Sequence, residues 1–365
     1  MRILFISRTL PYLGGREIIV DRLINYFKKH DYVAVITPDR WVKDSDIQFV
    51  NSNQNIKQIE KRVSKLKPQI INCHTFYFAD IAIYLSKKFK IPLVFTLHGV
   101  FLKFYGKDYR SIIQKICVNS NYVSVVSKNY QTQLISFLKR KEKRKIVLIR
   151  NGISTNVNVN SLKFHTIRRK YKLPINRRIV IVPVRMNKIK GAEYVISAAK
   201  QINRDDILFL VSSPKGRKNN QEKVFKTKLI RSLDIIKHLV RFRNFSHHEL
   251  QEILPSCDMC LIPSLTEGIS LSILESMMAG LIVVATRVGG NPEIIQSGRN
   301  GFLIKSKNRK EIITTVCRVL DLSTKEKKRI IKEARKTVIA NFSERKMLQL
   351  YRQLFLRAIF TYENK

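Results

Sequence analysis

Glu267 and Glu275 stand in a segment that reads as strand, tight loop, helix and strand. The apolar run Met259–Ile262 is stopped by Pro263-Ser264, and the loop that follows carries Glu267-Gly268. The helical pattern Leu271, Leu274, Met277 and Met278 ends at Gly280, before a β-branched strand. One carboxylate is therefore expected in the loop beyond a strand's carboxyl end and the other on the helix after it. In open α/β sheets that crevice is where ligands bind. Gly268 lets the backbone approach a ligand closely, and the amides and positive dipole of a helix start suit a phosphate. Spacing alone also fits two solvated glutamates, one of them helping to cap the helix.

Basic and imidazole groups fall at similar turns. Arg185 and Lys190 lie in Val184-Arg185-Met186-Asn187-Lys188-Ile189-Lys190-Gly191, between a strand and a helix at the same sheet edge. Cations there would stabilise negative charge developing on a diphosphate leaving group. His98 ends the strand pattern Leu93–Leu97 and precedes Gly99, while His74 follows Ile70-Ile-Asn-Cys73. Gly14-Gly15 sits between the first strand and the helical pattern Arg16–Lys29. Cys257 and Cys260 have no second cysteine pair or nearby histidine to complete a zinc set and fall where small buried side chains are wanted. Asp44-Ser-Asp46 spells an acidic triplet of metal-dependent transferases, but it lies away from these turns and is taken as chance.

The elements that must hold these residues alternate along the whole chain of 365 residues, which is long enough for two domains with separate cores. Strands are expected at 3–7, 33–37, 69–73, 93–97, 122–127 and 146–149, and again at 178–184, 207–212, 239–242, 259–262, 282–286 and 302–304. Amphipathic helical patterns such as Val20, Leu23, Ile24 and Phe27 separate most of them, the signature of parallel sheets built from βαβ units. The polar stretch Asn151–Asn160 is the expected linker, with domains at 1–155 and 160–342 and a long terminal helix at 343–365.

Every apolar run is interrupted well short of the ~20 residues that span a bilayer. The start of the chain enters a strand without a signal-peptide cleavage site, and five cysteines suggest reduced thiols in a cytoplasmic protein. Lys and Arg number 69 against 27 Asp and Glu, a net charge of +42. So positive a surface is expected to hold anionic partners, phospholipid headgroups or nucleic acid. The densest cluster, Lys139–Lys145, follows the helical pattern Tyr130, Leu134, Phe137 and Leu138, a basic and apolar face that could lie on an anionic membrane. No recognition motif for nucleic acid appears, and aromatics are not interleaved with the basic runs, so nucleic acid is not the expected partner.

The segment from Pro263 to Gly301 resembles the donor-binding half of the family-4 retaining glycosyltransferases (glycosyl transferases group 1). The matching residues are Pro263-Ser264, Glu267-Gly268, Glu275, Met278-Ala279-Gly280, Val283–Thr286, Gly289-Gly290, Glu293-Ile294 and Gly298-x-x-Gly301. Val184–Gly191 is similar to the family's Gly-Arg-Leu-x-x-x-Lys-Gly, with Val184 for the glycine and Met186 for the leucine. The resemblance implies the GT-B fold: two α/β Rossmann-like domains facing across a cleft, with a C-terminal helix returning to the N-terminal domain. It implies transfer of a hexose from a nucleotide-sugar (UDP- or GDP-linked) to a glycan or lipid-linked acceptor in cell-envelope biosynthesis, at the inner face of the cytoplasmic membrane.

By resemblance, Arg185 and Lys190 clamp the diphosphate, and Glu267 binds sugar hydroxyls beside the amides of Gly268, Ile269 and Ser270. Glu275 would accept both ribose hydroxyls, and Gly289-Gly290 would form a further close-approach turn. Asn291-Pro292-Glu293 would open the next helix with Asn291 as cap. Gly14-Gly15 resembles the family's glycine loop, and His98 a family histidine near the reacting sugar. No carboxylate couple of the glycosidase kind stands out, which is compatible with front-side attack assisted by the leaving phosphate, and no metal or other cofactor is expected. Where the family often has Gly-x-Gly-Pro, this chain has Ser212-Ser-Pro-Lys-Gly216, which leaves UDP, GDP and ADP open. A nucleotide-sugar isomerase of the same fold, or a basic nucleic-acid-binding protein on an inactive scaffold, are the competing readings.

Overall fold

Runs such as Ile3-Leu4-Phe5-Ile6 and Ile179-Val180-Ile181-Val182 are buried at every position, with no alternation of faces. Only a strand covered on both sides reads this way, and it fits parallel sheets flanked by helices. The computed structural model describes residues 1–8, 14–38, 47–51, 55–99, 102–156, 164–202, 204–214, 223–225, 227, 229 and 239–364.

Seven strands form the first sheet: β1 (Arg2–Ile6), β2 (Tyr32–Thr37), β3 (Ile47–Asn51), β4 (Ile70–Cys73), β5 (Leu93–Leu97), β6 (Tyr122–Val125) and β7 (Ile146–Leu148). Their order is β3-β2-β1-β4-β5-β6-β7. The second sheet holds β8 (Arg178–Pro183), β9 (Ile207–Pro214), β10 (Val240–Phe245), β11 (Met259–Ile262), β12 (Ile282–Thr286) and β13 (Phe302–Ile304). Its order is β10-β9-β8-β11-β12-β13. Each neighbouring pair is parallel. The fold is the α/β class expected. β3 was not: it is an edge strand pairing only with β2, and Ile47-Gln-Phe-Val-Asn gives too short a β-branched run to stand out.

The chain divides into two compact units, Met1–Gly152 with Arg345–Lys365, and Ile153–Glu344. At the two crossings Ile153 N donates to Phe342 O and Glu344 N to Ile153 O, both at 2.9 Å. The terminal helix Glu344–Glu363 buries Met347, Leu348, Tyr351, Leu354, Phe355 and Ala358, a three-and-four spacing that places them on one face. Phe355 stacks on Phe27 at 5.2 Å within the first unit. Arg352 pairs with Asp31 at 2.9 Å, and the same carboxylate holds the Met1 ammonium at 2.6 Å.

The second unit encloses a guanidinium. Arg168, 1% exposed, donates to the carbonyls of Ser256, Pro174 and Arg177 and to Asp258 Oδ2. Five donors in a fixed fork can satisfy that many carbonyls at once, which a lysine could not.

The apolar side of the expected membrane face is mostly turned inward. Tyr130, Leu134 and Leu138 are core residues of the first unit and Phe137 is half-buried, with the Arg110 guanidinium 4.8 Å from its ring centre, so most of the apolar side of the Lys139–Lys145 segment is already spent on the fold. Glu142 is also turned inward, leaving Lys139, Arg140, Lys141, Lys143 and Arg144 exposed. Contact by that cluster is therefore chiefly electrostatic.

Candidate functional site

In the second sheet the chain winds outward from β8 through β9 to β10, and outward on the other side from β11 through β12 to β13. The loops leaving β8 and β11 therefore diverge at a topological switch point, where an open parallel sheet offers a crevice. Both loops carry the charged residues singled out in the sequence. Asn187 caps the 3₁₀ turn Lys188–Lys190, its Oδ1 accepting from Lys190 N at 3.1 Å. Gly191 has φ +68°, and a Cβ on it would lie 2.2 Å from Pro263 O of the facing loop. Leu265 N donates to Ile189 O at 2.7 Å, tying the two loops together.

Glu267 is the meeting point. It is 8% exposed, and its Oε1 accepts from Lys190 Nζ and from Ser264 Oγ, each at 2.6 Å. Thr286 Oγ1 at the end of β12 holds Ser264 O at 2.5 Å, so a third strand end supports the group. Arg185 lies half-buried on the same loop as Lys190.

Gly289 and Gly290 make a close contact that was not expected. A Cβ on Gly289 would come 1.8 Å from Glu267 O, and one on Gly290 would come 2.1 Å from Gly268 O. Gly290 N donates to Gly268 O at 3.0 Å. The close approach is of one loop to another, and it fixes the backbone of the glutamate loop. Asn291 also departs from expectation: the short helix Asn291–Ile294 has Gly290 at its cap position. The Asn291 amide instead donates back to Thr286 O at 2.9 Å.

Ile269 and Ser270 are buried and lead into the helix Leu271–Met278, whose first turn has no side-chain cap from Ser270. Its orphan amides stay available to an anion. Glu275 lies on that helix beyond the first turn, which excludes the capping role that spacing alone allowed. It is 8% exposed, and Oε1 is 2.8 Å from His247 Nε2. His247 was not anticipated. The signal was present: Ser246 and Glu249 form a capping box that starts a helix at the carboxyl end of β10.

The first unit holds the remaining candidates. Its switch point lies between β1 and β4, and His74 follows β4 there. His98 follows the adjacent β5, with Nε2 2.9 Å from His74 Nδ1. His74 Nε2 is 2.6 Å from Asn72 Oδ1. Burial first, then the nearby Arg16 charge, pushes His74 down to about 3. Burial, His74 and Arg16 hold His98 well below the ordinary histidine value. Arg16 follows Gly14-Gly15, which open the helix Gly15–Phe27 on extended backbone at Gly14. Arg16 and Asn72 were missed, although an asparagine inside the apolar strand Ile70–Cys73 was a legible signal.

Cys257 and Cys260 are buried free thiols, as their positions suggested, with burial raising Cys260 to about 12. Among the described residues, no three His, Cys, Asp or Glu side chains converge as a metal site. Asp44-Ser-Asp46 and Lys215-Gly216 lie outside the described residues. β9 itself runs on through Ser212-Ser213-Pro214.

Comparison with known proteins gives a consistent picture. The family model described as Glycosyl transferases group 1 matches residues 163–337, and that described as Glycosyltransferase Family 4 matches residues 13–157. An uncharacterized glycosyltransferase of Methanocaldococcus jannaschii is 26% identical over 362 residues, 94% of this chain and 93% of its own. A putative colanic acid biosynthesis glycosyltransferase of Escherichia coli is 26% identical over 187 residues, 48% of this chain and 44% of its own. Among solved structures, Anabaena HepE in complex with UDP and glucose matches with a TM-score of 0.86 at 18% identity, covering 97% of this chain and 99% of its own.

Proposed function

Because the chain belongs to the glycosyl transferases group 1 and family 4, with the GT-B fold, we propose that it is a retaining enzyme that transfers a hexose from UDP- or GDP-sugar to a glycan or lipid-linked acceptor of the cell envelope. The observation that carries this reading is the convergence of Lys190 and Ser264 on Glu267 at the switch point of the second sheet. Arg185, Lys190 and the uncapped start of the helix Leu271–Met278 would meet the diphosphate, so the reading needs no metal there. Glu275 would take the ribose hydroxyls, and Glu267 the hydroxyls of the sugar. His98 would meet the reacting sugar.

Glu267 is engaged with Lys190 and Ser264, and Glu275 with His247, rather than the two carboxylates with each other, which supports front-side attack over a glycosidase-like couple. UDP as donor draws support from the HepE complex with UDP and glucose, and an envelope polysaccharide as product from the colanic acid relative. No helix among the described residues is long and apolar enough to cross a membrane. The basic surface would therefore hold the enzyme at the inner face of the cytoplasmic membrane by charge. Calorimetric titration of UDP and GDP, and then of their sugars, into wild type and Glu275→Ala tests the reading. Saturable binding of one nucleotide that weakens at least tenfold in the variant (about 1.4 kcal/mol) is the expected result. Binding of neither, or binding indifferent to Glu275, would sink it.

A further inference from the structure

The imidazole of His98 is held in one tautomer, and the chain of bonds behind it says which. Asn72 Nδ2 donates to Val94 O at 3.1 Å and to Thr96 Oγ1 at 3.2 Å. A backbone carbonyl only accepts, so the amide nitrogen must face Val94 and the amide oxygen must face His74. That oxygen lies 2.6 Å from His74 Nε2, which is therefore the protonated nitrogen of a neutral ring. His74 Nδ1 is then a lone pair, and His98 Nε2 at 2.9 Å must donate to it. The last atom of the chain, His98 Nδ1, is left as a bare acceptor. It is buried and has no hydrogen-bond partner among the described residues.

Nothing in this arrangement is free to turn over. Thr96 Oγ1 also accepts from Ser124 Oγ at 2.9 Å, and Tyr351 OH of the terminal helix lies 3.5 Å from it. The rings are closely packed, with His74 and His98 centroids 5.2 Å apart and Phe5 6.1 Å from His74. Burial and the Arg16 charge both act against a proton on either ring.

We infer that Asn72 and His74 are positioning residues that fix His98 as the Nε2–H tautomer, so that its Nδ1 accepts a hydrogen bond from a hydroxyl of the transferred sugar. An ionised phosphate oxygen offers no proton and cannot satisfy this atom, whereas a sugar hydroxyl can. The inference rests on the reading that His98 meets the reacting sugar and adds the direction of the bond and the residues that set it. A buried acceptor that waits for a donor also discriminates: a sugar lacking that hydroxyl would leave it unpaired.

Long-range proton–nitrogen correlation on protein carrying ¹⁵N-histidine, near neutral pH, tests the tautomer, with the His98 signals assigned by their loss in His98→Gln. Wild type should show a pyridine-type Nδ1 and a pyrrole-type Nε2. His74→Gln keeps both a donor toward Asn72 and an acceptor toward His98 and should preserve that pattern. His74→Phe should give mixed tautomers and lower the affinity for UDP-glucose relative to UDP by about tenfold, with UDP itself unchanged. Should His74→Phe not fold, Asn72→Leu removes the anchoring oxygen and carries the same expectation.

An Nδ1–H or doubly protonated His98 in wild type would overturn the inference. So would a folded His74→Phe with the wild-type tautomer, or with mixed tautomers but an unchanged UDP-glucose to UDP ratio. If wild type bound no UDP-glucose, the nucleotide-sugar that titration identifies would take its place in the affinity ratio, while the nitrogen spectra would still decide whether Asn72 and His74 set the tautomer.

Discussion

Lys190 Nζ lies 2.6 Å from Glu267 Oε1, and the bond joins the loops that leave β8 and β11 on either side of the second sheet's switch point. A charge-assisted bond this short, with the carboxylate largely buried, sets the position of both groups before any ligand arrives. In the proposed reaction Lys190 then faces the diphosphate while remaining beside Glu267. Lys190→Ala should therefore lower turnover by about a hundredfold to a thousandfold, the usual effect of removing one stabilising donor from a developing anion. Turnover of the donor identified by titration measures this, and a loss below tenfold would remove Lys190 from that role.

Gly289 supports the same glutamate from behind. Its φ of +53° and the 1.8 Å gap to Glu267 O mean that Gly289→Ala must move the glutamate loop or fail to close. Overpacking of this kind costs about 1–3 kcal/mol. Gly298 is the comparison, since its φ of +84° strains an alanine equally but a Cβ there meets nothing within 4 Å. Gly289→Ala should lower both the thermal midpoint and turnover, whereas Gly298→Ala should lower the midpoint alone. Equal turnover losses in the two variants would contradict the packing account.

The contrast between these glycines shows what the sequence could carry. Buried parallel strands announce themselves as continuous apolar runs, and Pro263-Ser264 and Gly280 bracket the helix that bears Glu275. The glycine pair was legible as a close approach, but the thing approached, the carbonyls of Glu267 and Gly268, depends on tertiary packing. His247 beside Glu275 was hidden for the same reason, because a side-chain pair 28 residues apart leaves no periodicity, whereas Asn72, in the strand just before His74, was legible and was missed. Tyr130, Leu134 and Leu138 gave the opposite error: an amphipathic pattern does not say whether its apolar face meets the protein's own core or something outside.

His74 and His98 predict an acid-sensitive fold. Both stay neutral when folded, His74 down to about 3, whereas an unfolded histidine takes up its proton near 6.5. Below that pH the unfolded chain binds more protons, so stability rises with pH through this range. The contribution is complete above about pH 6.5 and is lost as the pH falls toward the folded values, at up to about 1.4 kcal/mol per pH unit for each ring. Urea midpoints compared at mildly acidic and neutral pH should show a shallower loss in His74→Gln than in wild type. Identical slopes would mean that His74 is protonated in the folded state.

The positive surface makes the last prediction. Around Lys139–Lys145 the outward side chains are all cations, because Glu142 is turned into the protein. Most of the apolar residues beneath them are buried, so little there can insert into acyl chains. A Lys or Arg near an anionic bilayer is worth about 1 kcal/mol, and the attraction falls off within a Debye length. Sedimentation with phosphatidylserine-containing vesicles should therefore show binding at low salt that is abolished at about 0.5 M salt, where screening is nearly complete. Reversing Lys139, Lys141 and Lys143 to glutamate should weaken that binding by about a hundredfold or more. Salt-resistant binding, or equal binding to neutral phosphatidylcholine vesicles, would require an exposed apolar face elsewhere on the protein and would end the electrostatic account of this cluster.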